Sequence, residues 1–526
     1  MRRRKLCTNL LFVCLVTYII VGRVVSSKPL LIFTANKGSQ YINVVYLCIF
    51  CSLTSDQISG EIRANQKHPN VSVAQPRSVN TGPRDRNRQL KHQIHNFSKP
   101  DVDSWMTDIK RKYLTQSWQP FGERFTHCSE LFKPKEMRDQ SVVDLARNWK
   151  SRDAMTDEKM IRSLRSCRKF LTRYWFPSYP LTKEEAEFPI AYTILVHNET
   201  DFALRMLQAI YCPQNIYCIH IDRRAKWRVK MAWLLASKCL PNVFLSPVMF
   251  PIKWGYFGIL GAALACFKRL YKSSVQWRYA QIYSGNDLPL RTNAQLVQVF
   301  KLFNGSNDIE LNEVNIRRFI SFRYHPNIVP PHGIYLYKGS FQASLSREFV
   351  HFVLNDNRAK DFVQFVKKRT VIPDETLWST LNHNLFLNAP GNFPGFCKRS
   401  YDAIREQKRV VSRFQSWKDT NETCSTQKYS HLSCIFGVED IQHIIRRHEL
   451  AVHKFRSNTE PAAHRCLIEW LFNSTYFSQT SLSKDEIKFY NSLPAVKYRN
   501  IENKSKFKCI DAKNPVYIKY YREPTM

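Results

Sequence analysis

Acidic residues are scarce in this sequence. Asp and Glu number 43 against 79 Lys and Arg, a formal net charge of +36 over 526 residues. That imbalance favours anionic partners: nucleotides, phospholipid headgroups, acidic glycans or nucleic acid. Zinc-finger spacing and a glycine–aromatic RNA signature are both missing, so nucleic acid is not indicated. The one C-x-x-C, Cys48-Ile-Phe-Cys51, lies in an apolar stretch with no second ligand pair nearby, which excludes a paired-cysteine zinc site. No internal repeat is visible. Long apolar runs are few. Residues 6–22 are uncharged and mostly apolar, but at 17 residues they sit at the short end for a membrane span. The basic cluster of residues 1–5 before them places that end in the cytoplasm and the rest of the chain in a lumen. A cleaved signal peptide is the competing reading, although no small-x-small cleavage site follows at once. A second apolar stretch, residues 41–53, is too short to span, and its role is open.

What is present supports a folded, luminal protein. The chain is 44% hydrophobic and 13% aromatic, enough for a sizeable core. Fifteen cysteines suit disulfides in an oxidising compartment. Sequons at Asn70, Asn96, Asn198, Asn304, Asn421, Asn473 and Asn503 agree with that location. The composition divides the chain into a cytoplasmic tail (1–5), an anchor (6–22), a polar, basic stem (23–104), the first part of a luminal domain (105–187), its main body (188–480) and a C-terminal tail (481–526).

From residue 188 onward strand and helix patterns alternate. Residues 190–196 and 216–221 are short apolar runs that predict buried strands, and 278–283 predicts a third. Residues 201–211, 258–271, 293–303 and 346–355 predict helices. A further short strand is predicted over 432–436 and a helix over 438–450. Its acids Glu439 and Asp440 lie at the start and Arg446, Arg447 and His448 at the end, as the helix dipole favours. This alternation indicates an α/β domain with a largely parallel sheet. Ligands in such sheets bind beyond the carboxyl ends of strands, where Asp222 and the segment Ser284-Gly-Asn-Asp287 fall.

The stretches Phe188-Pro-Ile-Ala-Tyr-Thr-Ile-Leu-Val-His197, Ala209-Ile-Tyr-Cys-Pro-Gln-Asn-Ile-Tyr-Cys-Ile-His-Ile-Asp222, Ser284-Gly-Asn-Asp-Leu-Pro-Leu-Arg-Thr-Asn293, Tyr337-Lys-Gly-Ser340, Ser346-Arg-Glu-Phe349 and Pro373-Asp-Glu-Thr-Leu-Trp378 resemble the core-2/I-branching β-1,6-N-acetylglucosaminyltransferases. That family also includes the peptide-O-xylosyltransferases. The resemblance runs from about Cys128 to Leu471, and the order and spacing of the stretches carry it. It implies a GT-A-like fold, a UDP-sugar donor, inversion at the anomeric carbon and no divalent metal or other cofactor. The one D-x-D pair, Asp101-Val-Asp103, stands at the stem junction, away from the matching stretches. Without a metal, cationic side chains must stabilise the departing diphosphate.

Inverting transfer needs one carboxylate to take the proton of the attacking hydroxyl. The resemblance gives that role to Glu375, with Asp374 the choice if the register is off by one; spacing alone would make both acids simple stabilisers of a helix start. It assigns the donor diphosphate to Lys454 and to a family arginine whose place here is taken by His431, a departure, since histidine is only partly charged near neutrality. Lys428 is a neighbour able to compensate. Leu195, Asp222 and Trp254 match positions that bind the nucleoside. Glu310, Arg318 and Trp417 match acceptor-binding positions, and Asp419 stands where the family often has Tyr. The implied disulfides are Cys128–Cys466, Cys167–Cys239, Cys218–Cys266 and Cys424–Cys434.

The leading expectation is therefore transfer of N-acetylglucosamine to a mucin-type O-glycan core by a Golgi type II membrane protein, with room for a homodimer. UDP-glucose or another UDP-hexose as donor, xylosyl transfer to serine, and an inactive glycan-binding protein of the same fold are the alternatives. A basic membrane-associated scaffold acting through its stem is a further one.

Overall fold

The computed structural model describes residues 99–114, 123–152, 154–311, 329–395, 410–418, 423–478 and 481–507. Residues 1–98, which hold the expected tail, anchor, second apolar stretch and nearly all of the stem, lie outside this set, as do Asn70, Asn96, Arg318, Asp419 and Asn421. No helix among the described residues is long and apolar enough to cross a membrane.

Five strands form the central sheet: β1 (Ile190–Val196), β2 (Ile216–Ile221), β3 (Val243–Leu245), β4 (Tyr279–Ser284) and β6 (Ser344–Ser346), in the order β3-β2-β1-β4-β6. The first four run parallel, and β6 pairs antiparallel with β4. The sheet is mixed and mostly parallel, in keeping with the α/β alternation of the sequence. Burial on both faces explains why the strands read as continuous apolar runs. Tyr192, Ile194, Tyr217, Ile219 and Tyr283 face one core, whereas Ala191, Cys218, Ala280 and Ile282 face the other.

Local signals fix the helix starts. Thr292 and Gln295 form a capping box for the Asn293–Phe303 helix, and Ser346 caps Arg347–Asn355. Asp356 caps Asn357–Arg369, which ends on Lys367, Lys368 and Arg369 where cations suit the dipole. Two small antiparallel pairs lie beside the sheet. β5 (Asp287–Pro289) pairs with β9 (Ala451–His453), and β7 (Tyr429–Ser430) with β8 (Ser433–Cys434). Among the described residues four disulfides are formed: Cys128–Cys466, Cys167–Cys239, Cys218–Cys266 and Cys424–Cys434. The first joins the start of the domain to the Pro461–Tyr476 helix, and the last closes on the β7–β8 hairpin.

The first described element is the Lys99–Leu114 helix. Two expectations need adjustment. The strand over 432–436 contracts to β8, because the β7–β8 hairpin turns through His431 and Leu432, both with positive φ. The helix over 438–450 is a 3-10 turn followed by Ile441–Ile445. It stops early because Leu450 is drawn into β-type pairing: its N–H donates to the Val411 carbonyl, and its carbonyl accepts from Leu290.

Candidate functional site

β1 and β2 end at one edge, and each delivers a nucleoside candidate there. Leu195 is half-buried near the end of β1. Asp222 follows β2, its N–H donating to the Val196 carbonyl at 2.9 Å. The Asp222 carboxylate accepts from the Arg224 guanidinium at 2.9 Å and lies 3.2 Å from His197 Nδ1. Burial opposes its charge, but the hydrogen bonds from Arg224 outweigh it and hold the carboxyl below the usual range.

Glu375 ends a 3-10 turn, Pro373–Glu375, that leads into the Leu377–His383 helix. Its neighbourhood explains the Tyr337-Lys-Gly-Ser340 stretch. Gly339 N–H donates to the Glu375 carbonyl at 2.7 Å. A Cβ on Gly339 would stand 2.2 Å from the Glu310 carbonyl oxygen and 2.8 Å from Ser379 Cβ. Only glycine lets the Glu310 and Glu375 backbones approach this closely. The base candidate and an acceptor candidate, 65 positions apart by their numbers, thus meet across one residue. Lys338 Nζ lies 3.7 Å from Glu375 Oε2, with both side chains mostly buried. The resemblance did not single out Lys338; its place beside Gly339 in that stretch was the available signal.

The donor candidates reach the same region through a chain of contacts. Gly255, at φ +82°, accepts from Ile372 N–H at 2.9 Å, which ties the loop carrying Trp254 to the turn carrying Glu375. Trp254 is half-exposed and stacks on His431, with ring centroids 6.3 Å apart and planes inclined 14°. Ser430, next to His431, accepts from Lys454 Nζ at 2.7 Å. Trp417 flanks this hairpin through a bridge to Ser433, and Cys434 N–H donates to Ser416 at 2.8 Å. Glu310, Glu375, Trp254, His431, Lys454 and Trp417 are therefore linked element by element. Lys428, exposed, directly precedes β7.

Lys454 is buried, and burial lowers its pKa to about 8, helped by the positive charge of Arg456 and opposed by Asp287. Arg456 thus belongs to the same cationic environment, though the sequence reading passed over it; its spacing of two from Lys454 in extended chain was the signal. Arg456 also pairs with Glu199 at 3.5 Å. Asp287, by contrast, does not face the crevice. It is fully buried, bonded to His453 Nδ1 at 2.6 Å and to Ser284 N–H at 2.6 Å, with Arg413 at 3.5 Å. Burial opposes its ionisation, yet Arg413 and His453 keep the carboxyl below the usual range. Asp287 anchors β5 to β9, and so sets the position of Lys454.

Among the described residues no group of three His, Cys, Asp or Glu side chains is placed to hold a metal ion. Of the described sequons, Asn198, Asn304 and Asn503 are exposed, and Asn473 is half-buried within the Pro461–Tyr476 helix.

Comparison with known proteins bears on these residues. Residues 190–445 match the family model described as Core-2/I-Branching enzyme. A human β-1,3-galactosyl-O-glycosyl-glycoprotein β-1,6-N-acetylglucosaminyltransferase 3 is 29% identical over 368 residues, covering 66% of this chain and 83% of that protein. The corresponding enzyme of bovine herpesvirus 4 is 30% identical, over 66% of this chain and 83% of its own. A mouse N-acetyllactosaminide β-1,6-N-acetylglucosaminyl-transferase is 33% identical, over 60% of this chain and 81% of its own.

Proposed function

The chain belongs to the core-2/I-branching enzyme family and is a glycosyltransferase, and on that premise we propose that it transfers N-acetylglucosamine from UDP-N-acetylglucosamine, in β-1,6 linkage, to an O-glycan core such as Galβ1,3GalNAc. The observation that supports this reading is the Gly339 clasp, which packs the Glu310 and Glu375 backbones against one residue, together with the Ile372–Gly255 bond that ties the turn of Glu375 to the loop carrying Trp254.

In this mechanism the acceptor C6 oxygen attacks the anomeric carbon as its proton passes to the Glu375 carboxylate. The bond from the anomeric carbon to the β-phosphate oxygen breaks, and UDP leaves with inversion in a single displacement. Glu310 and Trp417 hold the acceptor sugar by hydrogen bonding and by an apolar wall. Asp222 and Leu195 seat the nucleoside, and Trp254 stacks beside it. Lys454, with Arg456 near it, offsets the growing diphosphate charge in a low-dielectric setting where such charge is worth most. Arg456 is a fixed cation near Lys454, which matters where His431 stands in for an arginine. No divalent ion has a part in this scheme. The protein acts as a Golgi type II membrane protein with its catalytic domain in the lumen, and its exposed sequons are compatible with that compartment.

The test is transfer by the full chain from a panel of UDP-sugars to Galβ1,3GalNAc, with and without EDTA. The expected result is β-1,6-linked N-acetylglucosamine at an unchanged rate in EDTA. Loss of transfer on chelation would refute the cation-only mechanism. A glucose or xylose product would replace the donor, and UDP binding without turnover on any donor would favour a glycan-binding role.

A further inference from the structure

The Trp227–Cys239 helix, which connects β2 to the edge strand β3, has two faces of opposite fate. One buries Val229, Ala232, Trp233, Ala236 and Cys239 in the core. The other leaves Trp227 64%, Met231 38% and Leu234 40% exposed. Spacings of four and three put these three side chains on one stripe along the helix. The proposed transfer chemistry uses none of them. Cations surround the stripe: residues 223–239 include Arg223, Arg224, Lys226, Arg228, Lys230 and Lys238 and contain no acid. Arg224 pairs with Asp222 and Arg228 with Glu158, both from outside the segment. The Arg223 N–H bond to the Phe250 carbonyl, at 3.0 Å, draws alongside the loop that exposes Val248 and Met249.

We propose that this face docks on a negatively charged lipid surface. Trp227, Met231 and Leu234 enter the boundary between headgroups and acyl chains, and the flanking Lys and Arg meet lipid phosphates. An apolar stripe bordered by cations, with Trp at one end, is the composition of a helix lying in a membrane interface. A second copy of the chain is disfavoured, because a two-fold contact through this face would set the same cations against one another. A hydrated polyanion such as nucleic acid would satisfy the cations but leave the central stripe uncovered. Docked this way, the domain is held with its β3 edge toward the bilayer, independently of any anchor in residues 1–98.

The proposal is tested by hydroxyl-radical footprinting of the full chain with nanodiscs of phosphatidylcholine alone or mixed with phosphatidylserine. Labelling of Trp227, Met231 and Leu234 should fall severalfold on the mixed discs only. It should recover at about 0.5 M salt, where surface charge is screened. In a Lys226→Glu, Lys238→Glu variant the protection of Trp227, Met231 and Leu234 on the mixed discs should be at least severalfold weaker, from the loss of two interfacial cations. The variant's transfer to a soluble acceptor should be unchanged. Should that variant fail to fold, the salt dependence of the unaltered chain still decides. Equal labelling on both discs would overturn the proposal, as would protection that grows with protein concentration without lipid. Protection by an added polyanion but not by phosphatidylserine would overturn it too.

Discussion

The imidazole of His431 lies nearly parallel to the indole of Trp254, at 14° and 6.3 Å between centroids. The pair joins the β7–β8 hairpin to the loop that also contacts the turn of Glu375 through Gly255. Replacing His431 with Ala removes that ring contact while leaving Lys454 and Glu375 in place. The expected outcome is a donor KM raised severalfold with a smaller change in kcat. His431→Arg, which supplies a permanent charge near the departing diphosphate, should instead raise kcat. Donor titrations at fixed acceptor concentration separate the two effects, and a His431→Arg enzyme slower than the unaltered one would count against a diphosphate role at this position.

Glu375→Gln keeps shape and removes the proton acceptor. Turnover should drop by about 10² to 10⁴, the usual scale of general-base assistance, with little change in melting temperature. The Gly339–Glu375 bond is main chain and survives the substitution. Asp374→Asn, measured beside it, discriminates the register: the buried Asp374 side chain should affect stability more than rate.

Lys454 titrates inside the working range. Its pKa is lowered from 10.5 to about 8 by burial, so the ammonium is intact below that value and lost above it. If diphosphate binding needs the charge, kcat/KM should fall on the alkaline side from about pH 8, by up to tenfold per pH unit. The limb in kcat should lie higher, because bound UDP favours the ammonium. Lys454→Arg keeps its charge throughout and should abolish the limb. A profile that stays flat through pH 9 in the unaltered enzyme would remove Lys454 from the mechanism.

Asp308 supplies a stability test separate from catalysis. Its buried carboxylate accepts from Ser412 N–H at 2.6 Å and from Val411 N–H at 3.2 Å, tying the segment before Glu310 to the one that leads to Trp417. Burial outweighs these donors and raises the pKa from 3.8 to about 6. Between those values the folded chain holds a proton that the unfolded chain has released. This group's contribution is therefore fully present at the acid end and lost as pH rises through about 6. In melting experiments the advantage of the unaltered protein over Asp308→Asn should widen as pH falls from about 7 to about 5. A narrowing advantage would mean that the hydrogen bonds, not burial, dominate.

Much of the sheet was legible because its strands are short apolar runs bounded by turn and capping residues. The Gly258–Tyr271 and Asn293–Phe303 helices match their expected spans, since periodicity and caps agree there. The Trp227–Cys239 helix was missed for a physical reason. It is apolar on its buried face and again along its exposed stripe, so no single amphipathic face stands out. The overextended helix after Val438 failed because residues 446–450 have helical composition but Leu450 is claimed by pairing with Val411 and Leu290.

Sequence by itself determined the family, the α/β order and the residue types available for transfer, because these rest on local pattern and on the order of short stretches. Tertiary structure decided which of them lie near one another. Glu310 and Glu375 both lie against Gly339 only because that residue lacks a side chain, and folding alone brings Lys338 to Glu375 and Arg456 near Lys454. Asp287, polar and placed after a strand, turned inward because His453 and Arg413, far along the chain, neutralise its charge. Burial and long-range pairing set those outcomes, and neither is written in local spacing.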